Sequence, residues 1–219
     1  VRVLDLFCGP GGAAVGYSQA GFEVYGIDNV PQPAYPFDLE QGDAMVALED
    51  VMFCRSFDVI HASPPCQAYT ALRTRQGKDR TYPDLVARVR EALIWIGRPW
   101  VIENVVGAPL RAPITLCGSM FGLGLGVYTL RRHRLFETSV PMVAPRDECA
   151  GKPVVGVYGT GGQWARLAPG GGGVKAAGAD AAAALGITHT TSTADLSQAI
   201  PPAYTRWIGS QLLALEVAS

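Results

Sequence analysis

Apolar positions in the first half of the chain follow two alternating rhythms. Short, nearly continuous hydrophobic runs rich in β-branched and aromatic residues, at 1–7, 22–27, 57–62 and 100–103, predict strands. The intervening stretches 12–20 and 83–96 predict helices; the second carries Leu85, Val89, Leu93 and Ile96 at helical spacing, with Pro83 in its first turn and Asp84 near its positive end. Strands that alternate with helices predict an α/β fold, with a mostly parallel central sheet and helices on both faces. In such sheets ligands sit at the carboxyl ends of the strands, and here each strand ends in polar or glycine-containing residues.

After about residue 110 the pattern loosens. Gly118 to Gly126 is glycine-rich, and the run from Gly159 to Gly173 is too rich in glycine for the interior of a regular element, so both predict loops. An alanine-rich piece at 176–185 predicts a helix, and a last helix is predicted over 201–215, opened by a Pro-Pro pair.

Composition narrows the class. A chain of 219 residues with 48% hydrophobic content fits one domain with a substantial core. No apolar stretch approaches the roughly 20 residues of a membrane span, and the chain opens on a strand-like run with no leader, so a cytoplasmic protein without a membrane partner is expected. A net charge of -1 argues against holding nucleic acid by bulk charge, which leaves local clusters: Arg73, Arg75, Lys78 and Arg80 in one stretch, Arg131, Arg132 and Arg134 in another. The five cysteines are scattered without a C-x-x-C pair, so neither a zinc site nor a disulfide framework is expected.

The chemistry is concentrated at the strand ends. Asp5-Leu6-Phe7-Cys8-Gly9-Pro10-Gly11-Gly12 reads as a strand, a glycine turn and a helix start, which lets backbone approach a ligand closely. Asp28, ending the next strand, is placed to accept hydrogen bonds from a ribose, which NAD and S-adenosylmethionine share, so these residues alone leave the cofactor class open. Ser63-Pro64-Pro65-Cys66-Gln67 follows the third strand, and two prolines stiffen the backbone leading into a cysteine above the sheet edge. Glu103-Asn104-Val105 brings a carboxyl group to the same edge. Arg132-His133-Arg134-Leu135-Phe136 reads as a strand that points both arginines to one face, where they can meet a carbonyl or carboxylate.

In order, Phe7 with Gly9 to Gly12, Asp28, Gly42-Asp43, Pro64-Pro65-Cys66-Gln67, Glu103-Asn104-Val105, Arg132-x-Arg134 and Gln198-Ala199-Ile200-Pro201-Pro202 resemble the motifs of the DNA cytosine C5 methyltransferase family, across nearly the whole chain. The resemblance implies a Rossmann-like methyltransferase fold that binds S-adenosylmethionine and no metal. It places Phe7 against the adenine, the backbone of Gly9, Gly11 and Gly12 beside the methionine part, Asp28 on the ribose and Asp43 on the adenine amine, with Asn29, Pro64 and Gln198 completing the cofactor site. It also implies Cys66 as the nucleophile on C6 of a flipped-out cytosine, Glu103 at N3 and the amine, Arg134 at O2, and Arg132 behind it orienting Glu103 or binding phosphate. The stretch 67–81 resembles the family's mobile catalytic loop, with Gln67, Arg73, Arg75, Lys78 and Arg80 closing on DNA and Gly77 as a hinge. A monomer acting on double-stranded DNA is expected, divided into a catalytic and cofactor-binding core at 1–136, a reduced target-recognition region at 137–195 and a returning helix at 196–219.

Two departures qualify the match. Only about 60 residues separate Phe136 from Gln198, where the family usually carries a sizeable recognition region, so a context of about two to three base pairs is expected. Gln198, after Ser197, stands where asparagine after glycine is common in the family. The short chain resembles phage or prophage enzymes. The alternatives are an RNA cytosine methyltransferase of the same fold, although the Cys-Phe-Thr tripeptide of the tRNA-acting branch is absent, a non-catalytic DNA-binding relative, and an NAD-dependent oxidoreductase, which leaves Pro-Pro-Cys-Gln without a purpose.

Overall fold

The centre of the molecule is the strand β1 (Arg2–Leu6), whose side chains feed two separate cores by simple alternation. In the computed structural model, which describes residues 1–66, 69, 84–146, 151–158 and 173–216, Val3 packs with one apolar cluster while Leu4 and Leu6 pack with another. Around it lie β2 (Glu23–Asp28), β3 (Asp38–Gln41), β4 (Val59–Ala62), β5 (Trp100–Asn104), β6 (Ile114–Leu116) and β9 (Arg134–Thr138), in the sheet order β3-β2-β1-β4-β5-β9-β6. The pairings β3-β2, β2-β1, β1-β4 and β4-β5 are parallel, whereas β9 runs antiparallel to both β5 and β6. Strand order therefore reverses beside β1, the place where an open α/β sheet forms its ligand crevice.

Helices cover both faces, as the sequence predicts. Tyr17 on α1 (Gly12–Ala20) and Tyr204, Ile208 and Leu212 on α7 (Pro202–Glu216) cover one face, with Val3, Val59, Val101 and Phe136. The other face is covered by α2 (Ala44–Ala47), α3 (Val51–Arg55) and α4 (Val86–Ile96), the last through Val89, Leu93 and Ile96. Glycine makes the first contact possible: a Cβ on Gly16 would stand 2.0 Å from Thr205 Oγ1 and 2.1 Å from the Pro202 carbonyl oxygen.

Several expectations are corrected. The helix expected from 83 begins at Val86, with Asp84 ahead of it accepting the Val86 N–H at 3.2 Å, while Pro83 lies outside the described residues. The glycine-rich stretch 118–126 is not simply a loop. It forms a 3-10 turn, Gly118–Phe121, and β7 (Gly124–Leu125), which pairs with β8 (Tyr128–Leu130); a Cβ on Gly124 would stand 2.0 Å from Tyr128 O, so the missing side chain is what lets the two backbones meet. Residues 131–133 belong to no strand, so Arg132 and Arg134 do not share strand alternation.

A second sheet has the order β11-β10-β8-β7, with β10 (Val154–Gly156) and β11 (Gly173–Lys175). Against it pack α5 (Gly178–Leu185), within the predicted 176–185, and α6 (Thr193–Gln198), around Leu130, Val155, Leu185 and Leu196. The expected loop at 159–173 falls outside the described residues except for Gly173, which opens β11. No helix among the described residues is long and apolar enough to cross a membrane.

Candidate active site

The turn after β1 is held in an uncommon backbone conformation. Phe7, Gly9 and Gly11 all have positive φ, at 56°, 52° and 86°. Glycine adopts this readily; a phenylalanine does so only where surroundings compel it, a condition that clusters at ligand sites. A Cβ on Gly9 would meet nothing within 4 Å, so the turn borders open space there, whereas one on Gly12 would stand 2.2 Å from Ile200 O. The Asp28 carboxylate braces the turn, accepting the Gly9 N–H and the Val30 N–H, each at 2.9 Å. From the far side His189 Nε2 donates to Pro10 O at 2.8 Å, leaving its buried Nδ1 without a partner among the described residues.

Asp43 caps α2, accepting the Met45 N–H at 2.8 Å. It is exposed, as are Asn29 and Gln198, the last residue of α6, while Phe7 is half-buried. These residues fit a nucleoside cofactor in chemistry: a half-buried aromatic ring, carboxylates for hydroxyl or amine hydrogens, and a side-chain-free turn bordering open space.

The second half of the site lies after β4 and β5. Parallel pairing sets His61 beside Val101 and Ala62 beside Ile102, so the next step brings Ser63 level with Glu103. One residue further, Asn104 Nδ2 donates to Pro64 O at 2.9 Å, fixing the turn that leads into Cys66. Glu103 is 6% exposed, and Arg134 Nε approaches its Oε1 at 3.1 Å from β9. Burial raises the Glu103 carboxyl above its usual range, with Arg134, Arg132 and a hydrogen bond from Ser63 opposing. The half-buried Cys66 thiol is also pushed up, by burial and then by Glu103, against the pull of Arg134 and Arg132.

Arg132 has a different setting. It is buried, donating from Nη1 to Val157 O at 2.5 Å and from Nη2 to Ser197 O at 2.8 Å, and Tyr204 Oη donates to its carbonyl oxygen at 2.6 Å. Burial pulls its guanidinium down to about 9, so it stays charged at neutral pH. The guanidinium thus clamps the second sheet and the end of α6, and it is Arg134 that meets the carboxylate.

Phe7, Gly9, Gly11, Gly12 and Asp28 are brought together at one turn, and Cys66, Pro64, Glu103 and Arg134 at the neighbouring edge. Gln67, Arg73, Arg75, Gly77, Lys78 and Arg80 lie outside the described residues. Sequence reasoning missed His189, Ser63, His61 and Tyr17. Ser63 sits inside the Pro-Pro-Cys segment and was within reach of a register argument; His189 carries no local signal, because its partner Pro10 is far away in sequence.

Comparison with known proteins gives consistent relatives. A family profile described as C-5 cytosine-specific DNA methylase matches residues 1–108. The type II methyltransferase M.HgiGI of Herpetosiphon aurantiacus is 30% identical over 124 residues, which cover 50% of this chain and 94% of that protein. M.HgiDI of the same organism is 32% identical over 136 residues, 56% of this chain and 42% of it, so the chain spans less than half the length of this relative. Among solved structures, a protein described as a DNA modification methyltransferase encoded within an E. coli prophage superposes with a TM-score of 0.63 at 14% identity, covering 99% of both chains. The Dnmt2 methyltransferase of S. pombe superposes with a TM-score of 0.64 at 13% identity, again covering 99% of both. At such identities these two likenesses establish the fold: a Rossmann-like methyltransferase sheet covered by helices.

Proposed function

Because this chain belongs to the C-5 cytosine-specific DNA methylase family, we propose that it methylates C5 of a cytosine in double-stranded DNA, with Cys66 as nucleophile and S-adenosylmethionine as donor. The observation that carries the reading is the convergence of Cys66, Glu103 and Arg134 beside the positive-φ turn of Phe7, Gly9 and Gly11.

Phe7 would lie against the adenine, Asp28 and Asp43 would accept the ribose and amine hydrogens, and Gly9, Gly11 and Gly12 would leave space for the methionine part, with Asn29, Pro64 and Gln198 at its edges. When bound, S-adenosylmethionine supplies the methyl group.

The reaction needs a covalent detour, since C5 of cytosine is too weak a nucleophile by itself. The target base leaves its stack at a cost of about a few kcal/mol. Cys66 Sγ, as thiolate, adds to C6 while the Glu103 carboxyl gives its proton to N3, so the ring becomes a neutral enamine whose C5 takes the methyl group. Water removes the C5 proton, Cys66 is eliminated, and the N3 proton returns to Glu103. Burial raises the Glu103 carboxyl above its usual range, which favours the protonated form that gives the proton to N3. Arg134, shared between Glu103 and the base O2, fixes both. Arg132 keeps 131–134 in place through Val157 and Ser197.

The region 137–195 would supply the reduced target recognition beside the core at 1–136 and the returning segment at 196–219, and Gln67, Arg73, Arg75, Lys78 and Arg80 would meet DNA phosphates. The names of the type II relatives favour a restriction-modification role, and the prophage protein a phage one.

The test is tritiated S-adenosylmethionine with duplex DNA and with RNA, followed by a duplex holding 5-fluorocytosine. Label in 5-methylcytosine of DNA and a protein-DNA adduct through Cys66 are expected. Label only in RNA, or full turnover by Cys66→Ala, overturns the reading.

A further inference from the structure

A line of polar side chains runs from Glu103 into the core. β4 reads Val59-Ile60-His61-Ala62 and is buried throughout, so a histidine in it is unexpected. Alternation sends His61 to the α1 face, where Tyr17 Oη lies 3.0 Å from its Nδ1. Its Nε2 lies 3.0 Å from Ser63 Oγ, and Ser63 hydrogen-bonds Glu103. Edge-on packing between the Tyr17 and His61 rings, with centroids 5.4 Å apart, fixes the imidazole plane. Burial pulls His61 down to about 3, so the ring is neutral and carries one proton.

One proton per link sets the direction. An ionised carboxylate only accepts, so the Ser63 O–H must point at Glu103, and Ser63 must accept from His61 Nε2–H. Nδ1 is then bare and accepts the Tyr17 O–H. If Glu103 is protonated and donates to Ser63, the Ser63 O–H is released to turn to His61 Nε2, and in that arrangement every link reverses. The Tyr17 hydroxyl is then left without an acceptor among the described residues, its hydrogen bond being to His61.

We propose that His61 is a positioning residue for the reaction, holding the Ser63 hydroxyl on Glu103 so that the Tyr17-His61-Ser63 chain favours the ionised carboxylate and reverses as Glu103 takes up its proton. This rests on the reading of Glu103 as the group that exchanges a proton with N3. The chain opposes desolvation, keeping Glu103 from becoming too weak an acid to release that proton. Other groups act on the same carboxylate: Arg134 from β9, Arg132 before it, Cys66 after β4, and Asp5 from β1, which pairs with His61 in register.

The experiment joins nitrogen NMR of histidine-labelled protein, which has three histidines, with the pH dependence of kcat. His61 is expected as the Nε2–H tautomer while Glu103 is ionised, with an Nδ1 shift that steps as Glu103 takes up its proton, and Ser63→Ala abolishes the step. Ser63→Ala and His61→Asn each move the alkaline limb of kcat, where Glu103 loses its proton, up by about one pH unit, Ser63→Thr restores it, and KM for DNA stays unchanged. A purely structural role lowers kcat evenly across pH. An Nδ1 shift without a step across the Glu103 titration, or an unmoved alkaline limb in Ser63→Ala, overturns the proposal. Should the wild type transfer no methyl group, the functional reading fails while the NMR titration still decides the relay.

Discussion

Arg134 reaches Glu103 diagonally across an antiparallel pair. Glu103 stands opposite Phe136, so Arg134, two residues away on the same face of β9, lies at the distance a long side chain can span, and its Nε comes to 3.1 Å from Oε1. Both groups are mostly buried, so the pair is screened little by solvent, and each partner's charge depends on the other.

Arg134→Ala is therefore expected to lower kcat by about 10²-fold or more and to move the alkaline limb upward, because a cation that holds the Glu103 carboxyl down is gone. Steady-state rates from pH 5 to 9, with Arg134→Lys recovering part of the loss, check this. An unchanged profile would detach Arg134 from the carboxylate.

A second ion pair lies away from the chemistry. Arg90 on α4 makes a two-pronged contact with Glu137 on β9, at 2.6 Å and 2.7 Å, and Glu137 also accepts the Arg111 N–H at 2.7 Å. Removing one partner strands a buried charge. Glu137→Ala should cost about 3–5 kcal/mol in urea unfolding, while replacing both with Met and Leu should cost much less.

Gly16→Ala tests the contact between α1 and α7. The added methyl meets the Pro202 carbonyl at 2.1 Å, and backbone cannot rotate away. A loss of about 1–3 kcal/mol is expected by thermal or urea unfolding, and weaker cofactor binding should accompany it, because α1 begins at Gly12 of the turn.

Asp5 links pH to stability. Its buried carboxyl is raised well above the ordinary carboxylate range by burial, opposed by Tyr35, with Asp28 and Glu103 raising it further, and Oδ1 has no partner among the described residues. A folded pKa above the unfolded value means the native state binds the proton more tightly. Its contribution is full below the unfolded value of about 3.9 and fades as pH rises toward the folded one, by at most about 1.4 kcal/mol per pH unit. Asp5→Asn should remove this slope, so the stability of the wild type relative to the variant falls from pH 4 to 8; parallel curves would contradict it.

Recognition should be short. Methylation mapping on random DNA should return about two to three specified base pairs, and a site of five or more would show that the chain reads more than its described elements suggest.

The central architecture was legible because it depends on local patterns. The alternation of β1 and β4, the α4 stripe and the glycine turn state their own geometry, and α1 falls on its predicted 12–20. The motif positions Cys66, Glu103 and Asp28 were legible for the same reason: Asp28 ends β2, Glu103 lies near the end of β5 just before Asn104, and Cys66 follows the end of β4. What was not legible depends on neighbours distant in sequence. β3, Asp-Leu-Glu-Gln at the sheet edge, is a strand because β2 offers it hydrogen bonds, not because its side chains demand it. The second sheet rests on elements of two or three residues, too short for any period to show. Arg132 and Arg134 are two residues apart, yet their roles divide: one faces carbonyls from residues 157 and 197, the other a carboxylate on the next strand. Only folding brings those partners together, since a side chain's charge state and hydrogen bonds are set by what packs around it and not by its chain neighbours.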